Sequence, residues 1–350
     1  MNKPRGLYIH VPFCLTKCPY CDFYSVPFSH KTAREYADAV IRNLSRYDEP
    51  FRTVYFGGGT PILLAPYIGD ILRSIRVESG AEVTAEANPC LCSPKTLEQL
   101  RSAGVNRLSI GVQSLNSGEL SALGRRHSAA QAEQAVLAAK SAGFDDISAD
   151  IMLAIPKQTE ASLSETTARL AELPLTHISA YLLKIEPRTP FGKTPPETPD
   201  EDETAALYLS AVKQLGALGF SQYEISNFAK AGFESRHNLI YWRRDEYLGI
   251  GPAAHSFYNG KRFAVPRDIR RFIESPAQAE EITDDCPDET EERVMLGLRL
   301  SEGIPEELWK PLESRLRFVP REYYTIKNGR LALTAQGFLL SNEIIALLLS

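Results

Sequence analysis

The stretch His10–Ser25, HVPFCLTKCPYCDFYS, closes a short run that reads as a strand. It then sets Cys14, Cys18 and Cys21 within eight residues, half of the six cysteines in the chain. Two thiolates make a disulfide and four close a zinc tetrahedron, so three is the number that needs explaining. A cubane iron–sulfur cluster has four irons, usually all held by cysteine. Three thiolates on one short loop leave one iron open to a small ligand. A structural zinc would need a fourth ligand nearby, and His10 is the near candidate. Spacing alone leaves both readings open; three cysteines gathered by chance is the weakest at this density.

Outward from this stretch, short β-branched or aromatic runs alternate with helical ones. Strands are expected over Leu7–Val11, Thr53–Phe56, Glu82–Glu86, Arg107–Gly111, Asp146–Met152 and His177–Leu183. Helices are expected over Thr32–Tyr47, Pro66–Arg76, Pro94–Ala103, Ala129–Ala142, Glu160–Glu172 and Glu201–Leu218. Ser93-Pro94 reads as an N-cap with proline at the first helical position, and Gly104 and Gly143 stand where helices end. Such alternation implies parallel strands. Six units suit an α/β fold of the partial (βα)6, TIM-like barrel kind.

The barrel is expected over residues 1–225, with a connecting segment over 226–285 and a C-terminal domain over 286–350. Glu186–Thr204 reads as a surface loop and Glu280–Glu292 as an acidic linker. The last part reads as a small, mainly helical or winged-helix-like unit whose final helix, near Thr334–Leu349, turns Phe338, Leu339, Ile344, Ile345 and Leu348 inward. With 350 residues, 43% hydrophobic and 24% charged, the composition is that of a globular enzyme. The net charge of −5 argues against a nucleic-acid partner. No window approaches about 18 consecutive apolar residues, so no transmembrane segment is expected. The first residues, MNKPRGLYIHVPF, lack the apolar core of a signal peptide, and the scattered Cys90, Cys92 and Cys286 do not form a disulfide framework. A cytoplasmic location follows as the expectation.

Several polar residues stand at or near the carboxyl ends of the expected strands, where barrel sites form. Gly57-Gly58-Gly59-Thr60-Pro61 follows the second strand, and its glycines let backbone approach a ligand. Glu86 ends the third strand, Gln113 follows the fourth, Asp150 lies in the fifth and Lys184 follows the sixth. Singly, each has a bland reading as a tight turn or a satisfied structural polar group. Their shared edge is the stronger argument.

The C-x3-C-x2-C spacing, with Tyr20 before the third cysteine, resembles the motif of radical S-adenosylmethionine enzymes. The GGGTP, EANP, GVQS and LGRRHS stretches resemble one subgroup, the oxygen-independent coproporphyrinogen III oxidases and the related HemW-type haem chaperones. The resemblance covers nearly the whole chain. It implies that Cys14, Cys18 and Cys21 ligate a [4Fe–4S] cluster and that Gly58, Gly59 and Thr60 meet the amino-acid end of S-adenosylmethionine. Tyr8 and Tyr20 would lie beside that ligand, with Glu86, Gln113, Arg125 and Asp150 around it and Lys184 at the same edge. The chemistry implied is reductive carbon–sulfur cleavage, which demands a cluster near the low end of the roughly −700 to +450 mV range.

Within the subgroup, the oxidases carry a further cysteine two residues past the third, where this chain has Phe23. The chaperone branch carries HN-x-x-YW, matched here by His237-Asn238-Leu239-Ile240-Tyr241-Trp242. An imidazole beside two aromatic rings suits haem, so His237, Tyr241 and Trp242 are haem candidates, and His255 in GIGPAAHS is another. The bland reading of His237 is a buried, hydrogen-bonded core histidine. Two departures stand out: Ala154 and Lys157 occupy positions where relatives tend to have glycine, and Cys90 and Cys92 follow EANP. The branch implies haem as cargo and haem-requiring acceptors as partners, membrane-bound respiratory components among them, with a homodimer left open. Oxidative decarboxylation of coproporphyrinogen III is the alternative.

Overall fold

The computed structural model describes residues 5–350; residues 1–4, part of the N-terminal stretch read above as lacking a signal sequence, lie outside them. Six parallel strands form the centre of one sheet: β1 (Gly6–Val11), β2 (Phe51–Gly58), β3 (Val77–Ala87), β4 (Arg107–Gln113), β5 (Asp146–Leu153) and β6 (His177–Leu182). They pair in chain order, as a barrel wall built from successive βα units must.

Alternation along each strand sorts the side chains. Leu7, Ile9 and Val11 of β1, Val54 and Phe56 of β2, and Leu108, Ile110 and Val112 of β4 are buried in the apolar core. The alternate positions, with Cβ on the other face, are polar: Tyr8 and His10, Thr53 and Tyr55, Glu82, Thr84 and Glu86, Arg107 and Ser109, Ser148 and Asp150. Several are buried, where an unpaired polar group is costly. Arg107 is fully buried, 3.6 Å from Asp146. His177 bonds Ser148 at 2.8 Å and the Tyr223 hydroxyl at 2.9 Å.

The helices lie close to their expected bounds, from His30–Leu44 to Glu201–Ala217. Ser93 caps Pro94–Ala103, and Gly104 ends it at φ 107°. Elsewhere the structure adds detail. Segment 226–285 contributes strands to the barrel sheet: Tyr247–Ile250 runs parallel to β1, and His255–Tyr258, Lys261–Ala264 and Glu281–Asp284 follow antiparallel. Glu281–Asp284 is thus an edge strand inside the stretch read as a linker. The expected surface loop 186–204 holds a helical turn, Pro190–Lys193, whose Phe191 is buried beside Tyr20. The C-terminal unit packs a three-stranded antiparallel sheet against short helices. Its final helix is two, Ala335–Leu339 and Ser341–Leu349, broken at Leu340. Among the described residues no helix is long and apolar enough to cross a membrane.

Candidate functional site

The cysteine loop leaves β1 at its carboxyl end. Phe13-Cys14 pairs with Val26-Pro27, and Val26 N–H donates to Pro12 O at 2.7 Å, which closes the loop. Cys21 N–H donates to Cys18 O at 3.2 Å, a turn that sets the second and third thiols on one bend. All three cysteines are free and half-buried. The Thr60 hydroxyl lies 3.6 Å from Cys14 Sγ, and Arg125 Nη1 lies 3.5 Å from Cys18 Sγ. Arg125 is itself aimed by Nη2, which donates to Gly111 O at 2.8 Å, and its buried Nε has no partner among the described residues. A hydroxyl and a guanidinium thus place donors against two of the sulfurs. Three free thiols on one short loop, with these donors, fit a cluster held by it.

A zinc site is a poorer fit. His10 is buried, with Nδ1 3.0 Å from the Tyr8 hydroxyl and Nε2 2.9 Å from Tyr24 O. Burial holds its pKa down to about 4. Neither ring nitrogen is free for a metal. Among the described residues no group of three or more His, Cys, Asp or Glu is gathered closely enough to hold a single ion.

Beside the loop a cleft is lined by Cys18, Thr60, Asn88, Cys90, Arg125 and Arg126. Thr60 is the residue of the GGGTP stretch that reaches it. Glu86 anchors the stretch by accepting from Gly58 N–H at 3.0 Å and from the Tyr55 hydroxyl at 2.9 Å. Burial, and then the charge of Asp150, push the Glu86 carboxyl up to about 7. Asp150 is held by Ser109 Oγ at 2.8 and 3.0 Å, and burial raises its pKa also. Gln113 adopts φ 66° at the end of β4, beyond a register shift at Gly111. Tyr8 and Tyr20 flank this carboxyl end, the first bonded to His10 and the second packed against Phe191.

The glycines of the loop are required by the protein itself. Gly58 has φ 110°, and a Cβ there would come within 2.7 Å of the His10 ring. A Cβ on Gly59 would come within 2.6 Å of Phe13 O. The close approach argued above for a ligand is thus made first by β1 and the start of the cysteine loop. Lys184 turns to solvent and pairs with Glu186 at 2.7 Å.

The haem candidates part company. His237 is 1% exposed at the barrel's amino end. Its Nδ1 lies 2.7 Å from Thr53 Oγ1 and its Nε2 2.7 Å from the Tyr241 hydroxyl, so both nitrogens are engaged. Trp242 ends the short helix Arg236–Trp242 that carries His237, and is half-buried. His255 is exposed at the start of its strand. The ion pair of Arg267 with Asp22, at 3.7 Å, ties that region to the cysteine loop, and Ile269 N–H donates to the Tyr24 hydroxyl at 3.1 Å. Tyr55 and Thr53 escaped the sequence reading. Their signal was the polar period of two in β2.

Residues 8–170 match the radical SAM superfamily. The heme chaperone HemW of Haemophilus influenzae is 33% identical over 99% of this chain and 98% of its own. The heme chaperone HemW of Escherichia coli is 35% identical over 86% of this chain and 84% of its own. In fold, the chain superposes on the coproporphyrinogen III oxidase HemN of Escherichia coli with a TM-score of 0.83, at 20% identity, over 99% of this chain and 90% of that one.

Proposed function

We propose, for a chain that belongs to the radical S-adenosylmethionine superfamily and within it to the family of the HemW proteins, that it binds haem and hands it to haem-requiring proteins. The reading rests on the similarity to haem chaperones over nearly the whole chain. It is supported by Phe23, 62% exposed on the cysteine loop, where the oxidases carry a cysteine. Cys14, Cys18 and Cys21 hold a [4Fe–4S] cluster. Thr60 and Arg125 stabilise two of the thiolates. The GGGTP backbone, Glu86, Gln113 and Asp150 receive S-adenosylmethionine, with Tyr8 and Tyr20 alongside. When bound, the cluster and its ligand supply one-electron chemistry; in a chaperone their role is structural or regulatory. Of the two histidines, exposed His255 has an imidazole open to haem iron. Its acceptors are haem proteins, respiratory ones among them, reached from the cytoplasm.

The test is anaerobic reconstitution followed by two assays. The expected protein holds about four irons per chain, loses them when Cys14, Cys18 and Cys21 become alanine, and keeps them when Cys90, Cys92 and Cys286 do. It shifts the Soret band of added haem and forms no protoporphyrinogen from coproporphyrinogen III, reductant and S-adenosylmethionine. Turnover of coproporphyrinogen would replace this reading with the oxidase. Absence of both haem binding and turnover would remove it.

A further inference from the structure

The helix Arg236–Trp242, which carries HNLIYW, plugs the amino end of the barrel. The N–H groups of Arg236 and His237 donate to the two carboxylate oxygens of Glu82, at 2.8 and 3.0 Å. His237 is then fixed at both ring edges, by Thr53 and by Tyr241. Each of those hydroxyls can donate or accept, so the neutral imidazole is satisfied in either tautomer. A ligand to iron needs a free nitrogen lone pair, and this ring has none to offer without breaking one of these bonds.

What the ring does offer is a flat, immobile face. It stacks on Tyr55, with centroids 5.0 Å apart and planes at 22°. Tyr55 also stacks on Tyr8, at 6.2 Å and 26°. Packed against both rings, the Tyr55 phenol donates its hydroxyl to Glu86. The other oxygen of Glu86 holds the Gly58 amide. Tyr8 in turn bonds His10, and His10 bonds the backbone of Tyr24 in the cysteine loop. A continuous line of rings thus joins the HNLIYW helix to both loops at the carboxyl end.

We infer that His237 is a positioning residue for the S-adenosylmethionine loop, acting through Tyr55 and Glu86 on Gly58, and that it is not the haem ligand. The inference rests on the proposed cofactor reading. It gives Tyr55 the same duty, as the link that carries a hydroxyl. Removing that hydroxyl in Tyr55→Phe keeps both stacks and leaves Glu86 with one bond fewer. His237→Ala removes one stack. His237→Phe restores a flat ring without nitrogens.

The experiment measures S-adenosylmethionine affinity by equilibrium dialysis on the reconstituted full chain, with iron content and haem spectrum recorded beside it. Tyr55→Phe and His237→Ala should each weaken S-adenosylmethionine by about tenfold, the size of one hydrogen bond to a charged group. The double variant should be little worse than either, because both act along one path. His237→Phe should recover part of the affinity lost in the alanine variant, and the haem spectrum should persist in all of them. Should His237→Ala fail to fold, Tyr55→Phe and faster hydrogen exchange at the Gly58 amide carry the test alone. Unchanged S-adenosylmethionine affinity in Tyr55→Phe overturns the inference, as does loss of haem in His237→Phe with that affinity intact. Wild-type protein that binds no S-adenosylmethionine overturns the cofactor reading as well.

Discussion

Ala154 and Lys157 hold left-handed backbone, at φ 54° and 70°, around the turn that follows β5. A side chain in that region costs roughly 1 kcal/mol or more, which glycine avoids at a smaller entropic loss. Gln158 holds the turn in place: its side-chain oxygen accepts from Ala154 N–H at 2.7 Å, and its amide donates to Met152 O at 3.0 Å. Glycine would adopt both dihedral angles without a side-chain clash. The double substitution Ala154→Gly, Lys157→Gly should raise the melting temperature by about 1–3 °C. A calorimetric scan in which the variant melts below the parent would show that the turn stores no such strain.

The turn between β2 and the helical segment after it is the element on which the site depends most. Backbone atoms of Phe13 and Val11 fill the space beside Gly59, and Gly59 N–H donates to Val11 O at 2.8 Å. Gly59→Val should therefore push the cysteine loop off β1, at a cost of about 2–4 kcal/mol. The expected result is reduced iron content together with a lower melting temperature. Full iron occupancy with weakened S-adenosylmethionine alone would return the glycine to a purely ligand-facing role. The main elements were legible because the outward-facing positions of each strand, such as Leu7, Ile9 and Val11, keep a regular apolar period under the helices. Strands of four residues, such as Lys261–Ala264 and Glu281–Asp284, are too short to carry that signal, and they exist by pairing with neighbours. The same limit applies to the site. Glu86 and Gln113 could be found because they sit at strand ends, and Asp150 because it is a charge within an otherwise apolar strand segment. The duty of Thr53 and Tyr55 depends on a histidine; Thr53 and His237 stand 184 positions apart, and no local pattern reports such a contact.

At the scale of the molecule, the barrel sheet and the C-terminal unit share one core and a bridged ionic joint at Glu292. Glu292, on the first helix of that unit, pairs with Arg244 at 2.6 Å and with Arg262. Both guanidiniums also lie over the Phe257 ring, 4.6 and 4.7 Å from its centroid. Glu292→Ala strands two partly buried cations, so urea unfolding should show a loss of about 2–4 kcal/mol, with faster proteolysis near residues 285–288. An unchanged midpoint would mean that the apolar contacts alone hold the joint. The sheet has another property, which concerns time. β1 lies between β2 on one side and Tyr247–Ile250 on the other, and the outer side of the cysteine loop is closed by Arg267 and Ile269. Tyr24 and Ile269 are 245 positions apart. On a ribosome adding roughly 5–20 residues per second, they emerge on the order of ten to fifty seconds apart. Through that interval the three thiols stand on a half-built wall, and only the later segment with Arg267 and Ile269 closes over them.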